Sequence, residues 1–209
     1  MSEIRLVDRD YVIFREIDKW RVLLGRHLKI LAGFDGQRAC DRRLRKLIDF
    51  GYIKRRKILY GMPSIYSNTY QAEKIINASN SNKESIRIEQ LTHDIIVVEM
   101  AIYIHKFGVP FDSIISEKQL HRMDGFSVRK HRPDIVFPFN GNKLCVEVEL
   151  SLKAKDRLEK IIKDNFMEYD NQIWVVPDFK SKIAGILEKN KSAYPNIKIL
   201  ELEEIKKNE

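Results

Sequence analysis

Apolar positions recur with helical spacing through the first fifty residues and with a strand-like period soon afterwards. In "DRDYVIFREIDKW" Tyr11, Phe14, Ile17 and Trp20 fall on one helical face, with Asp8 or Asp10 available as an N-cap. "VLLGRHLKILAGF" predicts a second short helix that stops at Gly33, and Asp35 can cap a third that runs to about Phe50 and ends at Gly51. The third helix has Ala39, Leu44, Leu47, Ile48 and Phe50 for its apolar positions. "YIKRRKILYGMPSIYSNTY" then reads as two β-like runs around Gly61 and Pro63, a hairpin.

The polar stretch "NASNSNKES" interrupts this pattern and predicts a linker over residues 77–86, between a domain over 1–76 and another over 87–209. Beyond it "IEQLTHDIIVVEMAIYIHKFG" is a long helix with a broad apolar face. Three strands are expected next, in "SIISEKQL", "SVRKHRPDIVFPF" and "KLCVEVELS", with Asn140 to Asn142 turning between the last two. "KDRLEKIIKDNFMEYD" predicts an amphipathic helix with Leu158, Ile161, Ile162 and Phe166 inward. "QIWVVP", "KSKIAGILEKN" and "IKILEL" follow as strand, helix and strand. The order αβββαβ(αβ) implies a mixed α/β sheet, built from a hairpin and extended by crossover helices.

Charge sharpens the reading of the first domain. Helix, helix, basic helix and basic hairpin is the order of a winged helix-turn-helix. Residues 37–57 hold nine basic side chains (Arg38, Arg42, Arg43, Arg45, Lys46, Lys54, Arg55, Arg56, Lys57) against two acids, in a chain whose net charge is +8. One reading is a solvated helix face; the other is a double-stranded DNA interface, with the helix in the major groove and the hairpin on the backbone or minor groove. No apolar run approaches the ~20 residues a membrane span needs. The opening "MSEIRLVDRDY" lacks a signal-peptide core, so a cytoplasmic chain without membrane contact is expected. Cys40 and Cys145 stand alone and read as small buried hydrophobes.

Strands that should be buried carry acids. Alternation puts Glu147 and Glu149 on one face with Cys145, and the hairpin turn lets Asp134 reach them. Three converging carboxylates repel one another unless a cation lies between, and an oxygen-only donor set suits Mg2+ or Mn2+. Such an ion lowers the pKa of a bound water and neutralises charge developing on a phosphodiester. Lys153 and Lys155 follow closely enough to add electrostatic support, and Lys130 precedes Asp134 on the other arm. The competing reading is an exposed strand face with lysine-paired glutamates.

"PD", hairpin turn and "EVE" in this element order resemble the restriction-endonuclease-like superfamily, in which PD on one strand is followed by (D/E)xK on the next. The resemblance covers about residues 87–201. It maps Asp134 to the PD aspartate and Glu147 to the (D/E). Glu149 stands at the lysine position, as in the ExE variants of some restriction enzymes. It also implies a metal-holding acid on the preceding helix, where Glu99 is best placed and His93 lies nearby. Taken with the basic N-terminal domain, the "HD" helix, "RPD", "VEVE" and a helix carrying Lys160, Lys163 and Tyr169, the chain resembles the replication-relaxation family and the MobC-type relaxases of mobilizable elements.

That resemblance implies a Mg2+- or Mn2+-dependent endonuclease that nicks DNA at a transfer or replication origin, working with other relaxosome or replication proteins. A monomer would cut one strand and a symmetric homodimer two. Two other readings stay open: a non-enzymatic DNA-binding regulator or accessory protein with a degenerate nuclease-like domain, and Tyr169 as a nucleophile rather than a core aromatic.

Overall fold

The computed structural model describes residues 4–78, 87–125, 130–152 and 154–206. It is mixed α/β, with two sheets, and divides into two compact units, Met1–Val98 and Glu99–Glu209. Of the expected linker, residues 79–86 lie outside the described residues.

In the first unit, α1 (Asp8–Lys19) turns Ile13, Phe14 and Ile17 into the core. Its N-cap is Val7, so neither Asp8 nor Asp10 caps it. Instead the Asp10 carboxylate accepts the Val7 N–H at 2.8 Å. A two-residue strand, β1 (Leu23–Leu24), comes before α2 (Gly25–Leu31), where a helix alone was expected. Both α2 and α3 (Gln37–Asp49) end in paired 6→1 and 5→2 backbone bonds, Phe34 N to Lys29 O with Gly33 N to Ile30 O, and Tyr52 N to Leu47 O with Gly51 N to Ile48 O. Such endings need a left-handed residue, and Gly33 (φ +61) and Gly51 (φ +76) provide it. α3 starts one residue beyond Gly36, which takes the cap position anticipated for Asp35. β2 (Ile53–Arg56) and β3 (Ile65–Asn68) form the expected hairpin in a sheet ordered β1-β3-β2, antiparallel throughout, and α4 (Tyr70–Ile75) follows.

The division between the units falls within α5 (Leu91–Lys106). In the second unit the sheet runs β4-β5-β6-β7-β8: β4 (Ile115–Ser116), β5 (Ile135–Phe139), β6 (Asn142–Val148), β7 (Asn171–Val176) and β8 (Ile197–Glu201). The first two pairings are antiparallel and the last two parallel. A two-residue turn joins β5 to β6, with Asn140 (φ +50) and Gly141 (φ +78) both left-handed, as the right-handed strand twist favours.

"SIISEKQL" is not the full strand anticipated. After two strand residues Ser116 caps a helix, α6 (Glu117–Asp124), its hydroxyl accepting from Gln119 N while Gln119 Oε1 accepts from Ser116 N. That reciprocal capping box turns the chain from extended to helical.

The parallel strands are joined by α7 (Lys155–Glu168) and α8 (Lys182–Asn190), and α9 (Leu202–Lys206) closes the described chain. Leu158, Ile161 and Ile162 of α7 pack with Trp174, Val176, Ile183, Leu187 and Ile197. Phe166, expected inward, is 37% exposed and lies edge-on to Tyr194; its neighbour Asn165 is buried in its place.

Candidate functional site

The first unit presents its charge on α3 and the β2–β3 hairpin. Leu44 and Leu47 face the core, which turns the residues between them outward, and Ile53 anchors the hairpin while Lys54, Arg55 and Arg56 point to solvent. Eight of the nine basic residues are exposed: Arg38, Arg42, Arg45, Lys46, Lys54, Arg55, Arg56 and Lys57. Arg43 is the exception. Its Nε donates to Asp10 Oδ1 at 2.7 Å, a terminal nitrogen makes a closer contact with Oδ2, and the same nitrogen donates to Arg5 O at 3.0 Å. Asp10 is completely buried, so Arg43 neutralises a core carboxylate and is committed to the fold. The hydrogen bond to Asp10 raises the Arg43 pKa further.

In the second unit the pairing of Ile135 with Val146, continued one step, sets Asp134 opposite Glu147. Asp134 Oδ2 accepts the Val148 N–H at 2.8 Å, which fixes the aspartate at the head of β5. Glu147 is 7% exposed, and two donors converge on its Oε1: His131 Nε2 at 2.6 Å and Asn165 Nδ2, from α7, at 2.9 Å. Burial pushes the Glu147 carboxyl up; the His131 hydrogen bond opposes this, and the negative charge of Asp134 adds to it. Burial also works against a charged His131. The bond to Glu147 and the charges of Glu147, Asp134 and Glu117 outweigh it, so the imidazole keeps its proton to higher pH than an ordinary histidine.

The segment that carries these groups is pinned along its length. Lys130 pairs with Glu168 at 2.5 Å, buried Arg132 donates to Asp124 at 3.0 Å, and Asp134 O accepts Glu117 N. Lys130 is thereby engaged with Glu168. Lys155 sits at the exposed start of α7, 3.5 Å from Glu159, and Lys153 lies outside the described residues. Glu149 is buried one position beyond β6, where its N–H continues the ladder to Val175 O. Glu99 is buried on α5. His93, in the first unit, meets its neighbour Asp94 at 3.2 Å. Burial, followed by the charge of Glu168, pushes the Tyr169 phenol up, and Lys143 covers its ring at 4.7 Å. That environment disfavours the phenolate a nucleophile needs. Both cysteines are free and buried.

Sequence reasoning missed His131 and Asn165. "HRPD" puts a histidine three residues before the aspartate, the one local signal available; nothing in α7 marks Asn165 as the partner of a strand glutamate.

Among the described residues no group of three His, Cys, Asp or Glu side chains is set to hold a metal ion. A two-carboxylate set remains. Mg2+ typically takes one or two protein carboxylates and completes its shell with water and substrate phosphate, and Asp134 opposite Glu147 fits that demand. Burial is the main cause of the raised Glu147 pKa and the negative charge of Asp134 adds to it; that added repulsion is what a cation would relieve. Among the described residues no helix is long and apolar enough to cross a membrane. No protein-family model, curated protein or solved structure matches the chain.

Proposed function

We propose that the chain is a DNA endonuclease, dependent on Mg2+ or Mn2+, that nicks one strand at a transfer or replication origin. In this reading the first unit is a winged helix-turn-helix, with α3 as the helix that enters the major groove and the β2–β3 hairpin as the wing. The second unit is a restriction-endonuclease-like domain acting on the phosphodiester, alongside other relaxosome or replication proteins.

The observation that carries cleavage is the pairing of a fixed, half-exposed Asp134 with a buried Glu147 whose proton affinity is raised. Strand carboxylates kept only for solubility would face water instead. Asp134 and Glu147 would hold the ion, with Glu99 and Glu149 as further acids of the same unit. When bound, the ion supplies Lewis-acid stabilisation of the scissile phosphate and a more acidic water. His131 and Asn165 hold Glu147 in one rotamer, and Val148 N–H does the same for Asp134. The exposed cations of the first unit grip phosphates, and the covalent link raises the local concentration of substrate at the second unit.

A supercoiled plasmid carrying the cognate origin should become an open circle with Mg2+ or Mn2+ and stay supercoiled in EDTA. Glu147→Gln should abolish that conversion while gel-shift affinity persists. Nicking that survives the substitution refutes the assignment. A second reading, a DNA-binding accessory protein without cleavage, is favoured by the two hydrogen bonds on Glu147 Oε1, since a structural carboxylate wants just such donors. DNA shifting with no metal-dependent nick decides for it.

A further inference from the structure

Tyr60, at the tip of the β2–β3 hairpin, is 99% exposed, an extreme position for a large aromatic side chain. The backbone holds it there. Ile58 and Met62, on either side, pack down against a buried cluster of Val22, Leu24, Ile65, Leu91 and Ile95. Met62 N donates to Leu59 O at 3.4 Å, closing a four-residue turn with Tyr60 and Gly61 at its corners. Gly61 takes φ +80, the conformation a type II turn requires at its third position, where other residues are strained. The two pinned flanks and the tight turn push the ring outward from a fixed base.

The surroundings of the ring indicate what it meets. Lys57 Nζ lies 5.0 Å from the ring centroid, over one face, and Lys54, Arg55 and Arg56 continue the positive charge down the hairpin. A planar aromatic with one face under a cation, on a hairpin whose strand carries three more exposed cations, suits a polyanion that also carries flat π-systems. Bases within a duplex already stack on each other and offer edges to a protein. A base at a junction, nick or loop has an open face.

We propose that Tyr60 is a stacking platform for an unpaired base beside a duplex, with Lys57 and the hairpin cations on the flanking phosphates. The hairpin then recognises a junction between double- and single-stranded DNA rather than duplex alone. This rests on the DNA-binding reading above and adds the structure of the DNA to it.

The test compares two probes of one sequence at low salt, a blunt duplex and the same duplex with a single-stranded extension, the first unpaired base being 2-aminopurine. The full-length protein should prefer the extended probe by about tenfold, in keeping with what one base–aromatic stack contributes, and should change the 2-aminopurine fluorescence on binding. Tyr60→Ala should bring the ratio of the two affinities close to one and remove the fluorescence change, whereas Tyr60→Phe, which keeps the ring, should retain both. So exposed a side chain can be replaced without loss of fold, which an unchanged circular dichroism melt would verify.

Equal affinity for both probes in the wild type, an unchanged ratio in Tyr60→Ala, or loss of preference in Tyr60→Phe each overturns the proposal. If duplex binding still depends on Arg42 and Arg45 in those cases, only the stacking role fails. If the wild type binds neither probe, the DNA-binding reading fails and takes the stacking role with it.

Discussion

Replacing Arg43 with alanine separates what the basic helix does for the fold from what it does for a ligand. Asp10 has no solvent exposure and is held by three partners: the Val7 N–H and two donors of the Arg43 guanidinium. Alanine leaves a buried carboxylate with the Val7 N–H alone. Removing one member of a buried ion pair costs about 3–5 kcal/mol. Arg43 keeps 19% exposure and one backbone donor stays on Asp10, so the lower end, about 3 kcal/mol, applies here. In urea, followed by circular dichroism, that corresponds to a fall in midpoint on the order of 1–2 M for the first unit. Arg42, one residue earlier and exposed, should on replacement by alanine leave the midpoint where it is. Asp10→Asn combined with Arg43→Ala should recover part of the loss, because the stranded charge is gone. If Arg43→Ala melts with the wild type and instead weakens DNA binding as Arg42→Ala does, the guanidinium serves a ligand and the argument from Asp10 is wrong.

Three further outcomes follow from other parts of the molecule. Arg42→Ala with Arg45→Ala should reduce the slope of log affinity against log salt by about 2 if both side chains reach phosphates; an unchanged slope removes α3 from the interface. His131 has a pKa raised above its ordinary 6.5, so its contribution to stability is complete below that value and is lost as pH rises through the higher folded-state pKa. Unfolding in EDTA should therefore show stability declining above about pH 6.5, and His131→Asn should flatten that decline; a variant as pH-sensitive as the wild type refutes the His131–Glu147 account. Gly141→Val, at φ +78 in the β5–β6 turn, should cost about 1–2 kcal/mol by equilibrium unfolding, and a neutral effect would mean the turn adopts another form.

Features decided within a few residues could be read from the chain. The Asn140–Gly141 turn and the helix ends at Gly33 and Gly51 are where local chemistry puts them, because each depends on backbone conformations that neighbouring residues already limit. α6 was equally local, with Ser116 and Gln119 spelling out a capping box, but the apolar run Ile114–Ile115 ahead of it read more strongly as a long strand. On α7, Asn165 and Phe166 are about 100° apart around the axis, so either could border the buried face. Apolarity alone favours Phe166. What reverses the order is the Glu147 carboxylate across the interface, which needs a donor that phenylalanine lacks.

Long-range charge pairing accounts for the rest. Arg42, Arg43 and Arg45 are indistinguishable as letters on a basic helix; the buried Asp10, 33 residues earlier, is what withdraws Arg43 from solvent. The strand acids divide in the same way. Alternation along β6 joins Glu147 to Glu149, but the antiparallel register joins Glu147 to Asp134, and His131, 16 residues before Glu147 in the chain, joins them through a contact that no local pattern marks. Composition gives the sum of the charges, whereas function depends on how they are partitioned among water, fold and ligand. Arg43 and Glu147 are where that partition can be measured, since each is a charge that the sequence assigns to a ligand and that the structure also binds into its own interior.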